Sequence, residues 1–109
     1  MKNMVNKVQL IGNLGQEVNC KALPNGRKMA RVSLATRDVY RNDKGEQVIT
    51  TQWHTLIGWG KVAEHMETLM KKGKRVAVTG KLHHRSWEDK EGVKRYTTEI
   101  WVNEFMLLN

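Results

Sequence analysis

At 109 residues the chain is long enough for one domain with a single core, and the lone Cys20 excludes an internal disulfide framework. No apolar run approaches the roughly 20 residues of a membrane-spanning helix, and residues 1–10 lack the apolar stretch of a secretory signal, so a soluble chain of a reducing compartment is expected. With 19 Lys and Arg against 11 Asp and Glu, the net charge of +8 favours an anionic partner, nucleic acid before an anionic membrane face. Four Trp against one Phe is an unusual way to fill a hydrocarbon core, since indoles are placed where a flat ring also has polar neighbours.

In chain order, residues 5–11 read as a first strand that ends near Gly12-Asn13-Leu14-Gly15. Pro24-Asn25-Gly26 is a turn, because Pro presets φ and Asn-Gly tolerates positive φ. Next, Ala30, Val32, Leu34 and Thr36 alternate with Arg31, Ser33, Ala35 and Arg37. This period of two sets an apolar face against a basic, small-residue face. A turn at Asn42-Asp43-Lys44-Gly45 leads into a long strand over residues 48–59. The helix is predicted over residues 61–72, with Val62, Met66, Leu69 and Met70 on one face, Gly73 as its stop, and Lys71 and Lys72 in its last turn. A fourth strand alternates through Val76, Val78, Gly80 and Leu82. The charged loop Glu88-Asp89-Lys90-Glu91-Gly92 precedes a fifth strand over residues 96–102. No repeat or linker divides the chain, so residues 1–109 read as one domain. Three strands, a helix and two strands is the order of the OB-fold: an all-β, five-stranded Greek-key barrel with its helix between strands 3 and 4.

Trp53, Thr55, Ile57 and Trp59 share one face of the third strand. Their indoles stand about 20 Å apart, too far to stack on each other but suited to separate bases of one extended strand. Core burial of both rings is the competing reading, and periodicity does not decide between them. Tyr40 and Trp87 lie at strand-to-loop junctions flanked by cations, Arg37 and Arg41 for the first, Lys81 and Arg85 for the second. Rings interleaved with cations suit single strands, because a duplex hides its base faces, and pinning of the loops on the barrel is the competing reading for these two. Trp101 has the opposite parity to Ile100 and Val102, and both rim packing and a subunit contact remain open for it. Cys20 reads as a packed or half-exposed strand residue. His54, His65, His83 and His84 lack metal-ligand spacing, and no paired carboxylates or nucleotide-binding glycine loop is present. The expectation is a non-enzymatic protein with no cofactor and no metal.

Val5-Asn6-Lys7-Val8 running into Ile11-Gly12-Asn13-Leu14-Gly15 resembles the opening of the bacterial single-stranded DNA-binding proteins. The resemblance continues through Pro24-Asn25-Gly26, Ser33-Leu34-Ala35-Thr36, Trp53-His54 and Gly60-Lys61-Val62-Ala63-Glu64. It closes with Lys72-Gly73, Val78-Thr79-Gly80-Lys81-Leu82 and Arg95-Tyr96-Thr97-Thr98-Glu99, always in family order. It implies an OB-fold core that assembles as a homotetramer, with a dimer as the alternative, and binds single-stranded DNA in the cytoplasm, at the bacterial nucleoid, during replication, recombination and repair. Stacking aromatics are implied at Tyr40, Trp53, Trp59 and Trp87. Tyr40 and Trp59 depart from the family's usual Trp and Phe while keeping a π-face. Basic positions of the family pattern match Lys7, Lys21, Lys61, Lys72 and Arg85. Thr55 stands where a basic residue is frequent, and Arg31 shares the face of Ser33 and Arg37 to compensate. His54 matches a subunit contact. Family members usually continue into a flexible linker with an acidic tip that recruits replication and repair proteins. The sequence ends at Asn109 without one, so those partners are expected only of a chain that carries such a tail. The other readings are an OB-fold accessory of replication restart acting through protein contacts and, more remotely, a small nuclease.

Overall fold

The computed structural model describes residues 4–108 and contains six strands and one helix. The strands are β1 (Val8–Leu14), β2 (Asn19–Ala22), β3 (Lys28–Arg41), β4 (Gln47–Trp59), β5 (Arg75–Glu88) and β6 (Lys94–Leu108), with α1 (Lys61–Leu69) after β4. They form one sheet in the order β1-β5-β6-β4-β3-β2, and β1 pairs again with β3. That second pairing, Asn13 with Ala35 and Leu14 with Leu34, closes the sheet into a barrel of OB type. Short β2 joins only β3, at the edge. Sequence periodicity passes over it, because four residues are too few to show an alternation. Counting it, the helix falls between the fourth and fifth strands rather than between the third and fourth.

The inward set of each strand is the one the alternation marks. Ala30, Val32 and Leu34 of β3, Leu56 of β4, Val76 and Val78 of β5, and Ile100 and Val102 of β6 are buried together with Leu14. Helix α1 plugs the barrel with Ala63 and Met66, and Met70, just beyond its last turn, completes the seal. Gly58 makes room for it: a β-carbon there would lie 2.3 Å from the Met66 sulfur. A bulge between Thr79 and Gly80 shifts β6 by one residue, so that Val102 and Phe105, an odd number apart, both face the core.

Several boundaries differ from the sequence reading. Strand β1 runs through Gly12 to Leu14, because Gly12 lies against the backbone of Ala35 where the barrel closes. The helix ends at Leu69; Met70 is already extended, and Lys71 and Lys72 fall outside the last turn. Strands β3, β5 and β6 run well past the predicted ends. The excess forms two hairpin arms, one at the β3–β4 end and one at the β5–β6 end. They raise the radius of gyration to 16.1 Å, against about 13 Å for a compact chain of this length. Both arms turn through the same device. Asn42 Oδ1 accepts the backbone N–H groups of Lys44 and Glu46 at 2.9 and 3.0 Å, and Asp89 Oδ1 accepts those of Glu91 and Val93 at 2.9 Å each. The Val93 N–H above all, then that of Glu91 and the Arg95 guanidinium, holds the Asp89 carboxyl below the usual range.

Candidate nucleic-acid interface

The outward faces of β2, β3, β4, β6 and β5 carry most of the rings and cations in question. Register sets them side by side: Arg31 of β3 faces Ile57 of β4, Ile57 faces Trp101 of β6, and Trp101 faces Lys81 of β5. One row of the sheet thus runs from a guanidinium across two hydrophobic side chains to an ammonium. Beside it lies a hollow of about 400 Å³ whose walls include Lys21, Arg31, Trp59, Arg85 and Trp101. Ion pairs among the described residues use Lys28, Arg85 and Arg95, so Lys21 and Arg31 keep their charge for something else.

The four predicted rings sit in three different settings. Trp53 is 63% exposed, and its six-membered ring rests on Gly15, where a β-carbon would come within 2.5 Å of it. Trp87 is half exposed and donates from Nε1 to Thr97 Oγ1 at 3.1 Å. Tyr40 is exposed on the β3–β4 arm, opposite Val48, on the other face of the ribbon from Arg37. Trp59 shares the face of Trp53 but is half buried. It makes a T-shaped contact with Trp101 at 5.4 Å between centroids, with the Arg27 guanidinium 5.7 Å from its ring. Its Nε1 is buried without a hydrogen-bond partner among the described residues.

The predicted cations also divide. Lys21, Arg31 and Arg85 come together at the hollow, whereas Arg37 lies apart with Arg75, Val39 and Ile49 in a second hollow beside the β3–β4 arm. Lys7, Lys61 and Lys72 are exposed and line neither. His54 is half buried and shares a 2.9 Å hydrogen bond with Thr36 Oγ1.

Arg85 is not a free cation. Its Nη2 lies 2.9 Å from Glu99 Oε2, and Glu99 is only 5% exposed. Trp101 Nε1 donates to the other carboxylate oxygen at 3.3 Å. Arg85→Ala therefore leaves a buried carboxylate with the indole as its remaining partner among the described residues. Half of the Arg85 side chain meets solvent, so water replaces part of the interaction. The expected loss of stability is about 1 kcal/mol rather than the several lost when a dry pair is broken. Urea denaturation checks this, and adding Glu99→Gln should recover part of the loss.

Sequence reasoning left Trp101 undecided and did not assign His83 or Tyr96 to the surface of rings. Trp101 carries the His83 imidazole stacked at 3.9 Å and 24°, with Lys81 Nζ 5.8 Å from the ring centroid. Its parity, opposite to Ile100 and Val102, was the available signal. Tyr96 shares the parity of the core residue Ile100 but lies past the barrel rim, 76% exposed, with Lys94 Nζ 5.9 Å from its ring centroid. Cys20 faces the other way. Burial first, then the Glu67 carboxylate, pushes its thiol up. The Lys28 ammonium binds Glu67 and holds that carboxyl below its usual range, tying α1 to the start of β3. Among the described residues, no group of three or more His, Cys, Asp or Glu could hold a metal ion.

A closed OB barrel carrying rings and unpaired cations on its outward face defines a class of oligonucleotide-binding modules. Comparison with known proteins names the family. The model of the single-strand binding protein family matches residues 5–108, and the chain belongs to that family, whose members bind DNA without catalysis. Single-stranded DNA-binding protein 1 of Xylella fastidiosa (strain 9a5c) is 42% identical over 105 residues, which is 95% of this chain and 77% of that protein. A Plasmodium falciparum SSB in complex with ssDNA superposes with a TM-score of 0.91 at 30% identity, over 100% of this chain and 99% of that one. A deletion mutant of the single-stranded DNA-binding protein from Thermus aquaticus gives a TM-score of 0.84 at 27% identity, over 96% of this chain and 51% of that one.

Proposed function

We propose that this chain is one domain that binds single-stranded DNA with little sequence preference, protecting it during replication, recombination and repair, and that it catalyses no reaction. The observation that carries the reading is the outward face of β3 and β4. There Trp53 stands open to solvent, with Arg31 and Arg37 on the same side of the neighbouring strand. Base faces stack on Tyr40, Trp53, Trp59 and Trp87, while Lys7, Lys21, Arg31, Arg37, Lys61 and Lys72 neutralise phosphates. Arg85 contributes through its exposed half while it neutralises Glu99. A likeness at 30% identity to a structure described as a complex with ssDNA supports this reading, as does membership of the family.

Assembly as a homotetramer belongs to the same proposal. Outside the ring-bearing face, Ile11, Met106 and Leu107 expose apolar surface on β1 and β6, which association would cover. In this proposal His54 would lie at a subunit contact. The cellular site in this proposal is the cytoplasm, at the nucleoid, as membership of the family supports.

Titration with oligothymidylate, followed by tryptophan emission, tests the binding. Emission should be quenched as bases stack. The affinity should fall with salt at a slope near −0.7 per neutralised phosphate. Arg31→Ala should make that slope shallower by about 0.7, without unfolding the protein. An affinity indifferent to salt, or emission unchanged at saturation, overturns the reading. Native mass measurement decides the assembly.

A further inference from the structure

Trp101 is placed by more contacts than a rim residue needs. Its Nε1 is held by Glu99, it makes a T-shaped contact with Trp59, and one face carries the His83 ring. His83 does not line the hollow of Lys21, Arg31 and Arg85, whereas Trp101 does, so the stacked imidazole leaves part of the indole bordering the hollow. What the indole offers the hollow is surface already fixed in orientation. A ring held this way loses almost no rotamer freedom when a planar ligand settles on it. The hollow, at about 400 Å³, lies within the size range of sites for small organic groups, roughly 300–1,000 Å³. Its walls join apolar surface from Ile57 and Met29 to cations at Lys21 and Arg31. A flat apolar group attached to an anion fits that combination, and a nucleotide of a single strand is such a group.

Glu99 has a place in this arrangement. A bare carboxylate beside phosphates would repel them, but Arg85 cancels its charge, and its second oxygen fixes the indole. Glu99 is a positioning residue, acting through Trp101.

We propose that Trp101 is a further base-contacting ring and that the hollow beside it holds one nucleobase of the bound strand, its phosphate lying toward Lys21 and Arg31. The assignment rests on the reading of the chain as a binder of single-stranded DNA, and the test separates the two. Oligothymidylate carrying single iodouracil substitutions is bound to the wild-type protein and irradiated, and the crosslinked residues are identified by peptide fragmentation. Trp101 should appear among them. Trp101→Leu should bind at least about fivefold more weakly, and Trp101→Phe, which keeps a flat ring, should recover most of the loss. Crosslinks at Trp53 in both variants would show that they still fold and bind.

A wild-type map with Trp53 or Trp87 but without Trp101 overturns the proposal and leaves the binding function standing. A Trp101→Leu variant that binds as tightly as wild type does the same. Wild-type protein that gives neither crosslinks nor emission change overturns both.

Discussion

Trp53→Ala is expected to weaken oligothymidylate binding by roughly 1–3 kcal/mol, while the thermal midpoint stays close to that of the wild type. The two halves of this prediction have separate physical grounds. Stability should hold because the indole is 63% exposed and rests on Gly15, with the small Ala35 opposite it across the strands. Removing it opens no cavity in the barrel, whose core lies on the other side of β4 around Leu56. Exposed positions of this kind usually shift stability by about 0.5 kcal/mol or less. Binding should fall because the ring sits on a backbone that cannot yield, which fixes a platform at no cost to the ligand. Emission titration and a melting curve on the same sample check both halves, and wild-type affinity in the variant removes Trp53 from the interface.

Gly12→Ala should act the opposite way, by destroying the support rather than the contact. A methyl group on Gly12 would lie 2.1 Å from the Ala35 carbonyl oxygen and 2.9 Å from its carbon. Backbone, unlike a side-chain tip, cannot swing aside, so β1 must part from β3 at the place where the barrel closes. The expected loss is about 3 kcal/mol or more, beyond ordinary overpacking of a core. It would be read as a lower urea midpoint and as rapid amide exchange at Leu14 and Gly15, whose backbone N–H groups bond Lys74 and Ser33. A variant with unchanged stability would mean that the strands can separate here without penalty.

These two positions also mark how far the residues alone carry the structure. Alternation along β3 and β5 locates the core because each of those strands has one dry and one wet face. The same alternation puts Trp53 and Trp59 together, yet one is open and the other half covered. The difference is made by Trp101, brought beside Ile57 by the parallel pairing of β6 with β4, a contact between segments more than forty residues apart that no local pattern encodes. Arg85 shows the same limit, since only folding sets it against Glu99. The helix was visible in Val62, Met66 and Met70, but its end was not. Met70 seals the core from an extended residue, and an apolar period does not distinguish that from one more turn. The turn at Asn42–Gly45 and the strand from Val48 were legible, but the extension of β3, β5 and β6 into arms was not, because a ribbon wet on both sides has no apolar alternation to reveal it. Gly12 reads locally as a turn glycine, and its true task depends on a strand more than twenty residues away.

A ribbon of two strands with no layer packed on either side is held by its ladder alone and bends under small forces. Tyr40, one residue pair from the tip of such a ribbon, therefore rides on a spring, while Trp53 is bolted to the barrel wall. A polymer whose contour changes from one stretch to the next could stay anchored at the rigid point while the elastic one follows its path. One protomer would thereby tolerate many trajectories without repacking its interior.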